Sequence, residues 1–219
     1  MRNYIRYVIY LLVFIGSSSV FSGSYEDFFI AIKQDDSRTV ESLLKRGFDP
    51  NARDPKGFHG LFLAVKEPSP KVAAVLVAWP KTDVEPRTAE DESPLMIASL
   101  NGDLELARQL VRRGAHVNKP GWTALHYAAT NGHLAVISFL LEESAYIDAE
   151  APSGATPLMM AAHYGTPQSV KLLLDEGADP LLKDRRGLTA IDFANRANRT
   201  ESAELIATHV RNRQPRGKW

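Results

Sequence analysis

The stretch "GWTALHYAATNGHLAV" runs from Gly121 to Val136 and holds a tryptophan, a tyrosine and two histidines within sixteen positions. So many polar aromatics invite a chemical reading. The same residues also have the layout of a structural unit. Gly121 opens a turn, and Thr123 stands where a helix N-cap belongs. Ala128-Ala129 lets a helix pack closely, and Asn131-Gly132 ends it. Val136, Ile137, Leu140 and Leu141 then recur at helical spacing. Repetition decides between a site and a brick.

The stretch repeats. Gly154 opens "GATPLMMAAHYGTPQSVKLLLDEGADPLL" and Gly187 opens "GLTAIDFANRANRTESAELIATHV", so Gly121, Gly154 and Gly187 are 33 residues apart. Upstream, "DESPLMIASLNGDLELARQLVRRGAHVN" aligns from Asp91 and "GFHGLFLAVKEPSPKVAAVLVAWPKTDVE" from Gly57. A first unit, "YEDFFIAIKQDDSRTVESLLKRGFDPN", begins near Tyr25 without its opening turn. The units fall near 25–56, 57–90, 91–120, 121–153, 154–186 and 187–210, and together they make one domain over 25–210. Ser93-Pro94 and Thr156-Pro157 combine an N-cap with proline at the first helical position. The first helix of a unit is expected to end at Gly102, Gly132 or Gly165. The second is expected to end at Gly47, Gly114 or Gly177, where a left-handed residue is needed. Lys81 and Ser144 replace that glycine in two units and should weaken those ends by under ~1 kcal/mol each.

These residues resemble the ankyrin repeat, whose T-P-L-H-x-A signature and period they match. The resemblance implies an all-α solenoid of about five to six helix pairs with β-turn fingers, each pair folding only by stacking on the next. It assigns His126, in Thr123-Ala124-Leu125-His126, a hydrogen-bonding role at the helix start. His133, after Asn-Gly, is read as structural too. The two lie seven residues apart across a helix break, which is no metal-ligand pair.

Composition narrows the function classes. The chain of 219 residues carries 26 basic and 26 acidic residues and no cysteine. Balanced charge gives no reason to expect nucleic acid as a partner. The absence of cysteine excludes disulfides, thiolate nucleophiles and Cys-based metal sites. No phosphate-binding loop, dinucleotide fingerprint, zinc-protease helix or nucleophile elbow occurs, so no enzymatic activity and no cofactor are expected. Asp35-Asp36 and Asp91-Glu92 read as charges that complement helix N-termini. Asn198-Arg199-Thr200 is a glycosylation sequon that matters only in a eukaryotic host.

The N-terminus has the order of a secretory signal peptide over residues 1–22. "MRNYIR" carries two arginines and no acid, Tyr7–Ile15 is apolar, and small residues follow. The run is too short to span a bilayer. Cleavage after Ser22 or Ser24 removes Arg2 and Arg6 and leaves 24 basic against 26 acidic residues, a formal charge of −2. A periplasmic monomer without stable membrane insertion is expected. The final stretch, 211–219, reads as a basic, solvated tail.

The resemblance also implies where a partner would bind: at finger tips and at the ends of the first helices. The positions are Phe58, Lys66 and Glu67; Glu92, Leu100 and Asn101; Trp122, Thr130 and Asn131; His163 and Tyr164; and Arg185, Arg186, Leu188 and Arg196. Trp122 and Tyr164 are of the types that dominate binding hot spots. The finger before Trp122 is short, since Ser93 to Thr123 is 30 residues rather than 33. Trp122 therefore either faces a partner beside a notch or folds over Pro120 as local core. The expected function is non-covalent capture of a protein partner in the concave groove, as stabiliser or inhibitor of an envelope enzyme or toxin. The alternative is a secreted effector that engages host proteins.

Overall fold

The computed structural model describes residues 23–213. The expected leader and residues 214–219 of the expected tail lie outside the described residues. Twelve helices form six consecutive pairs among them: α1 (23–33) with α2 (Ser37–Lys45), α3 (Gly60–Lys66) with α4 (Pro70–Ala78), α5 (Pro94–Asn101) with α6 (Leu104–Arg112), α7 (Ala124–Asn131) with α8 (Leu134–Glu142), α9 (Pro157–His163) with α10 (Pro167–Asp175), and α11 (Ala190–Arg196) with α12 (Thr200–Arg213). No strand occurs among the described residues; Arg53 and His59 form one isolated antiparallel bridge. The fold is an all-α repeat solenoid in which α12 runs on into the stretch read as a tail, because no glycine or proline stops it before Pro215.

Two compact units divide the chain, one ending at Asp83 and the other beginning at Val84. In the first unit, Phe28, Ile32, Val40, Leu43, Leu61, Phe62, Val72 and Leu76 make the core of α1 to α4. In the second, α5, α7, α9 and α11 pack in one row and α6, α8, α10 and α12 in another. The repeat period places equivalent side chains in register along each row. Ala98, Ala128, Ala161 and Ala194 are all fully buried, and their small size lets the first helices approach. Leu110, Leu140, Leu173 and Ile206 do the same work between the second helices.

Polar groups also pass from repeat to repeat. His126 is fully buried. Its Nε2 donates to the Ala155 carbonyl of the next repeat at 3.0 Å, so its Nδ1 is the acceptor for the Thr123 N–H (3.2 Å) and Thr123 Oγ1 (2.9 Å). This confirms the hydrogen-bonding role implied for His126. His133 donates through Nε2 to Leu100 O of the preceding repeat at 2.9 Å. Its ring lies against Gly102, where a methyl group would stand 2.6 Å from Nδ1. Both histidines are bricks. In the first unit, His59 takes the N-cap place that serine or threonine holds in the second unit's first helices, with Nδ1 accepting from Leu61 N at 3.1 Å.

A second ladder runs along the finger bases. Asn51 accepts the N–H of Asp83 in the first unit at 2.7 Å. In the second unit Glu85 accepts from His116 N (3.2 Å), Asn118 from Tyr146 N (2.8 Å) and Asp148 from Asp179 N (3.1 Å). Where the ladder residue is asparagine, its amide also donates, to Lys81 O at 3.0 Å and Ser144 O at 2.8 Å. Those are the two units that lack the terminating glycine. An asparagine from the preceding repeat thus holds the carbonyl at each irregular helix end.

Two sequence expectations about helix ends need correction. Lys81 does not take a left-handed conformation, because Pro80 holds Trp79 extended at ψ 123° and ends α4 by itself. Gly165 stands just past the end of α9, as expected, but without a left-handed conformation. It serves close approach instead: a methyl group there would stand 2.5 Å from Ala129 O and 2.9 Å from Ala161 O. Ser144 does adopt the expected strained conformation, with φ +65°. The reading of Asp91-Glu92 as helix-terminal charges also fails, since Ser93 caps α5 and both acids point elsewhere, as described below. Asp36 does cap α2, accepting from Arg38 N and Thr39 N.

Four outcomes follow from these contacts. Gly165→Ala should destabilise by about 1–3 kcal/mol through overpacking, whereas Ser144→Gly should stabilise by about 0.5–1 kcal/mol; urea denaturation of each variant checks both signs. Burial pushes the pKa of His126 and of His59 down to about 4. The unfolded chain therefore binds protons more tightly below the ordinary histidine pKa. Stability should fall as pH drops from 7 to 5, by about 2 kcal/mol for each of the two. His126→Gln should lower stability at pH 7 and remove its share of the slope.

Candidate functional site

Three fingers are held by their own short side chains. In the first unit, Asp54 Oδ1 accepts from Lys56 N (2.9 Å) and Phe58 N (2.8 Å). In the second, Asp184 Oδ1 accepts from Arg186 N and Leu188 N, both at 2.9 Å, and Thr88 Oγ1 accepts from Glu92 N at 3.2 Å. Such side-chain turns fix the tips without a sheet. Leu188, like Phe58, is half-buried at the base of its finger.

The short finger before α7 is tied down differently. Lys119 is only 11% exposed, and its Nζ reaches Asp91 Oδ2 at 2.5 Å and donates to Trp122 O at 3.0 Å. The hydrogen bond from Lys119 holds the Asp91 carboxyl below its ordinary range. Glu92 accepts from Tyr127 Oη at 3.0 Å. Burial, reinforced by Glu92, raises the Tyr127 pKa and keeps the phenol protonated. The Trp122 ring meets His126 edge-on at 5.2 Å and Tyr127 at 6.5 Å. Trp122 is half-buried, and its ring partners are on α7, which begins two residues after it; Pro120 is exposed. The indole serves local packing while keeping one part in solvent.

Other expected contact residues are engaged within the stack. Thr130 Oγ1 donates to His126 O at 2.8 Å, and Asn131 Nδ2 donates to Leu100 O at 2.8 Å. Leu100 is half-buried. His163 Nδ1 donates to Phe193 O at 3.1 Å and its ring lies 4.2 Å from that of Tyr164. Arg186 pairs with Asp184 at 2.9 Å and covers Phe193 at 5.6 Å.

What remains in the second unit is Tyr164, 54% exposed, with Arg185 and Arg196 exposed. Arg199 donates to the Tyr164 carbonyl at 3.2 Å and steadies the end of α9. An exposed aromatic ring and exposed guanidinium groups are residue types that dominate protein hot spots. In the first unit, Phe58 stacks on Phe62 at 5.7 Å and Lys66 lies 5.1 Å above the Phe58 ring. Phe58 and Lys66 border a groove of about 380 Å³ that also takes in Phe29, Lys33, Lys56, Leu63 and Glu67. The sequence reading passed over Lys33 and Phe29 because the first repeat lacks an opening turn. Lys56, beside Gly57, was recoverable from the finger-tip rule. Among the described residues, no group of three or more His, Asp or Glu is placed to hold a metal ion, and no helix is long and apolar enough to cross a membrane.

Comparison with known proteins agrees with this architecture. The chain matches the family "Ankyrin repeats (3 copies)" over residues 28–120 and 61–153, and "Ankyrin repeats (many copies)" over 142–194. The Escherichia coli K12 ankyrin repeat protein YahD is 30% identical over 190 residues, covering 82% of this chain and 94% of that protein. Mouse Ankyrin repeat and SAM domain-containing protein 6 is 36% identical over 138 residues, covering 59% of this chain and 16% of its own length. An Acinetobacter baumannii ankyrin repeat domain superposes with a TM-score of 0.72 at 27% identity, covering 84% of this chain and 97% of that one. A chain from the complex of the Bd0816 predatory endopeptidase of Bdellovibrio bacteriovorus with immunity protein Bd3460 superposes with a TM-score of 0.71 at 28% identity, covering 83% and 97%. Matching motif, period and stacked helix pairs make the chain a member of the ankyrin repeat family.

Proposed function

We propose that this chain is a secreted, periplasmic protein-binding module that captures an envelope enzyme or toxin non-covalently and stabilises or silences it. Ankyrin repeats are protein-binding scaffolds, without a catalytic requirement of their own. The observation that carries the reading is the exposed Tyr164, with Arg185 and Arg196 exposed in the following repeat. The stack uses the side chains of Thr130, Asn131, His163 and His133 for its own hydrogen bonds, and it leaves Tyr164, Arg185 and Arg196 exposed to solvent. A bulky aromatic held in water, with exposed arginines on the neighbouring repeat, fits a partner. The likeness to a structure in which an immunity protein is in complex with an endopeptidase supports the inhibitory form of the reading. The leader-like residues 1–22 support export.

Affinity capture from the native envelope fraction, with tagged wild type beside Tyr164→Ala/Arg196→Glu, tests it. The wild type should retain one stoichiometric protein, and the variant should lose at least about tenfold in retention. Its melting temperature should stay within about 2 °C, since both positions are exposed. A chain found in the medium and bound to nothing in the envelope would contradict the proposal and favour an effector.

A further inference from the structure

The groove of the first unit has a chemistry of its own. Its apolar floor is made by Phe29 and Ile32 of α1, Leu63 of α3 and the half-buried Phe58 at the finger base. Lysines stand on its sides: Lys33 at the end of α1, Lys56 at the finger tip and Lys66 at the end of α3, all exposed. None of the three makes an ion pair among the described residues. Two carboxylates share the lining, Asp54 and Glu67. Asp54 is turned into its own finger by the backbone N–H groups of Lys56 and Phe58. Lys66 is held in place by the stacked rings, 5.1 Å from Phe58 and 6.0 Å from Phe62. A cation fixed over an aromatic pair keeps its outer side free for an anion. The volume of about 380 Å³ suits one large side chain rather than a domain surface.

We propose that this groove binds a short acidic segment of a protein partner. One aromatic side chain sits on Phe29, Ile32, Leu63 and Phe58, and the carboxylates flanking it meet Lys33, Lys56 and Lys66. The proposal rests on the reading of the chain as a protein-capturing module and adds what the captured segment looks like. Charge selects the segment and speeds its arrival, and the apolar floor supplies the hold. Binding weakens with salt, because the ammonium groups lie in water.

Panning a random-peptide phage library on the immobilised mature chain tests it. Selected peptides should converge on an aromatic residue flanked by Asp or Glu. A synthetic peptide of that consensus should bind Lys33→Glu/Lys66→Glu at least about tenfold more weakly than wild type, and Lys33→Gln/Lys66→Gln by a smaller factor. Circular dichroism melts confirm that both variants fold. Phe58→Ser should lose the aromatic preference. Selected peptides without carboxylates, acidic peptides that bind the charge-reversed chain equally, no enrichment at all, or retention of dodecanoate in place of any peptide would each overturn the proposal. A partner captured from the envelope through Tyr164 and Arg196 would leave protein capture standing in all four cases.

Discussion

The hydrogen bond from His126 to Ala155 O states the constraint on which the rest of the structure depends: no repeat satisfies its own backbone and apolar face. Ala155 stands at the base of the following finger, and its carbonyl accepts both the Ala151 N–H at 2.9 Å and His126 Nε2 at 3.0 Å. The fully buried imidazole N–H has this carbonyl as its partner, and a buried donor left unmet costs about 1–3 kcal/mol, so the histidine is held neutral and in a single tautomer. The same dependence recurs at His133 and at the ladder of Glu85, Asn118 and Asp148. Apolar burial obeys it as well, since Leu140 lies on a helix packed against α6 and α10, and Leu173 on one packed against α8 and α12. Stability in such a stack is a sum of neighbour terms.

This constraint also sorts the surface. A side chain spent on a neighbouring repeat is unavailable to a partner. Thr130, Asn131 and His163 occupy positions that face a groove in sequence terms, yet each donates to a backbone carbonyl. Trp122 is drawn onto His126 and Tyr127, while Lys119 pins the short finger to Asp91. What is left over is chemically uneven. The second unit leaves an exposed tyrosine and exposed arginines, and the first leaves an apolar trough edged by lysines. Neither is demanded by folding.

Much of this was legible in the sequence. The 33-residue spacing of Gly121, Gly154 and Gly187 dictates helix pairs in series, and Thr-x-x-His locates a buried histidine. Helix ends were less legible where another force overrode glycine chemistry. Pro80 settles the end of α4 through its effect on Trp79, so Lys81 never meets the strain expected of it. Gly165 looks like a terminator, but it is glycine because carbonyls of α7 and α9 crowd it. Site residues were the least legible. Whether Trp122 packs or protrudes depends on where Lys119 reaches, and that is a three-dimensional fact. Lys33 and Phe29 were missed because a terminal repeat without a finger has no motif to index them.

Hydrogen exchange of the captured complex, read against the free chain, tests the central claim that partners are met by the finger tips and first-helix ends. The account predicts added protection over 54–67 and around Tyr164 and Arg185–Arg196, with α6, α8 and α10 unchanged. Protection confined to α6, α8 and α10 would contradict it.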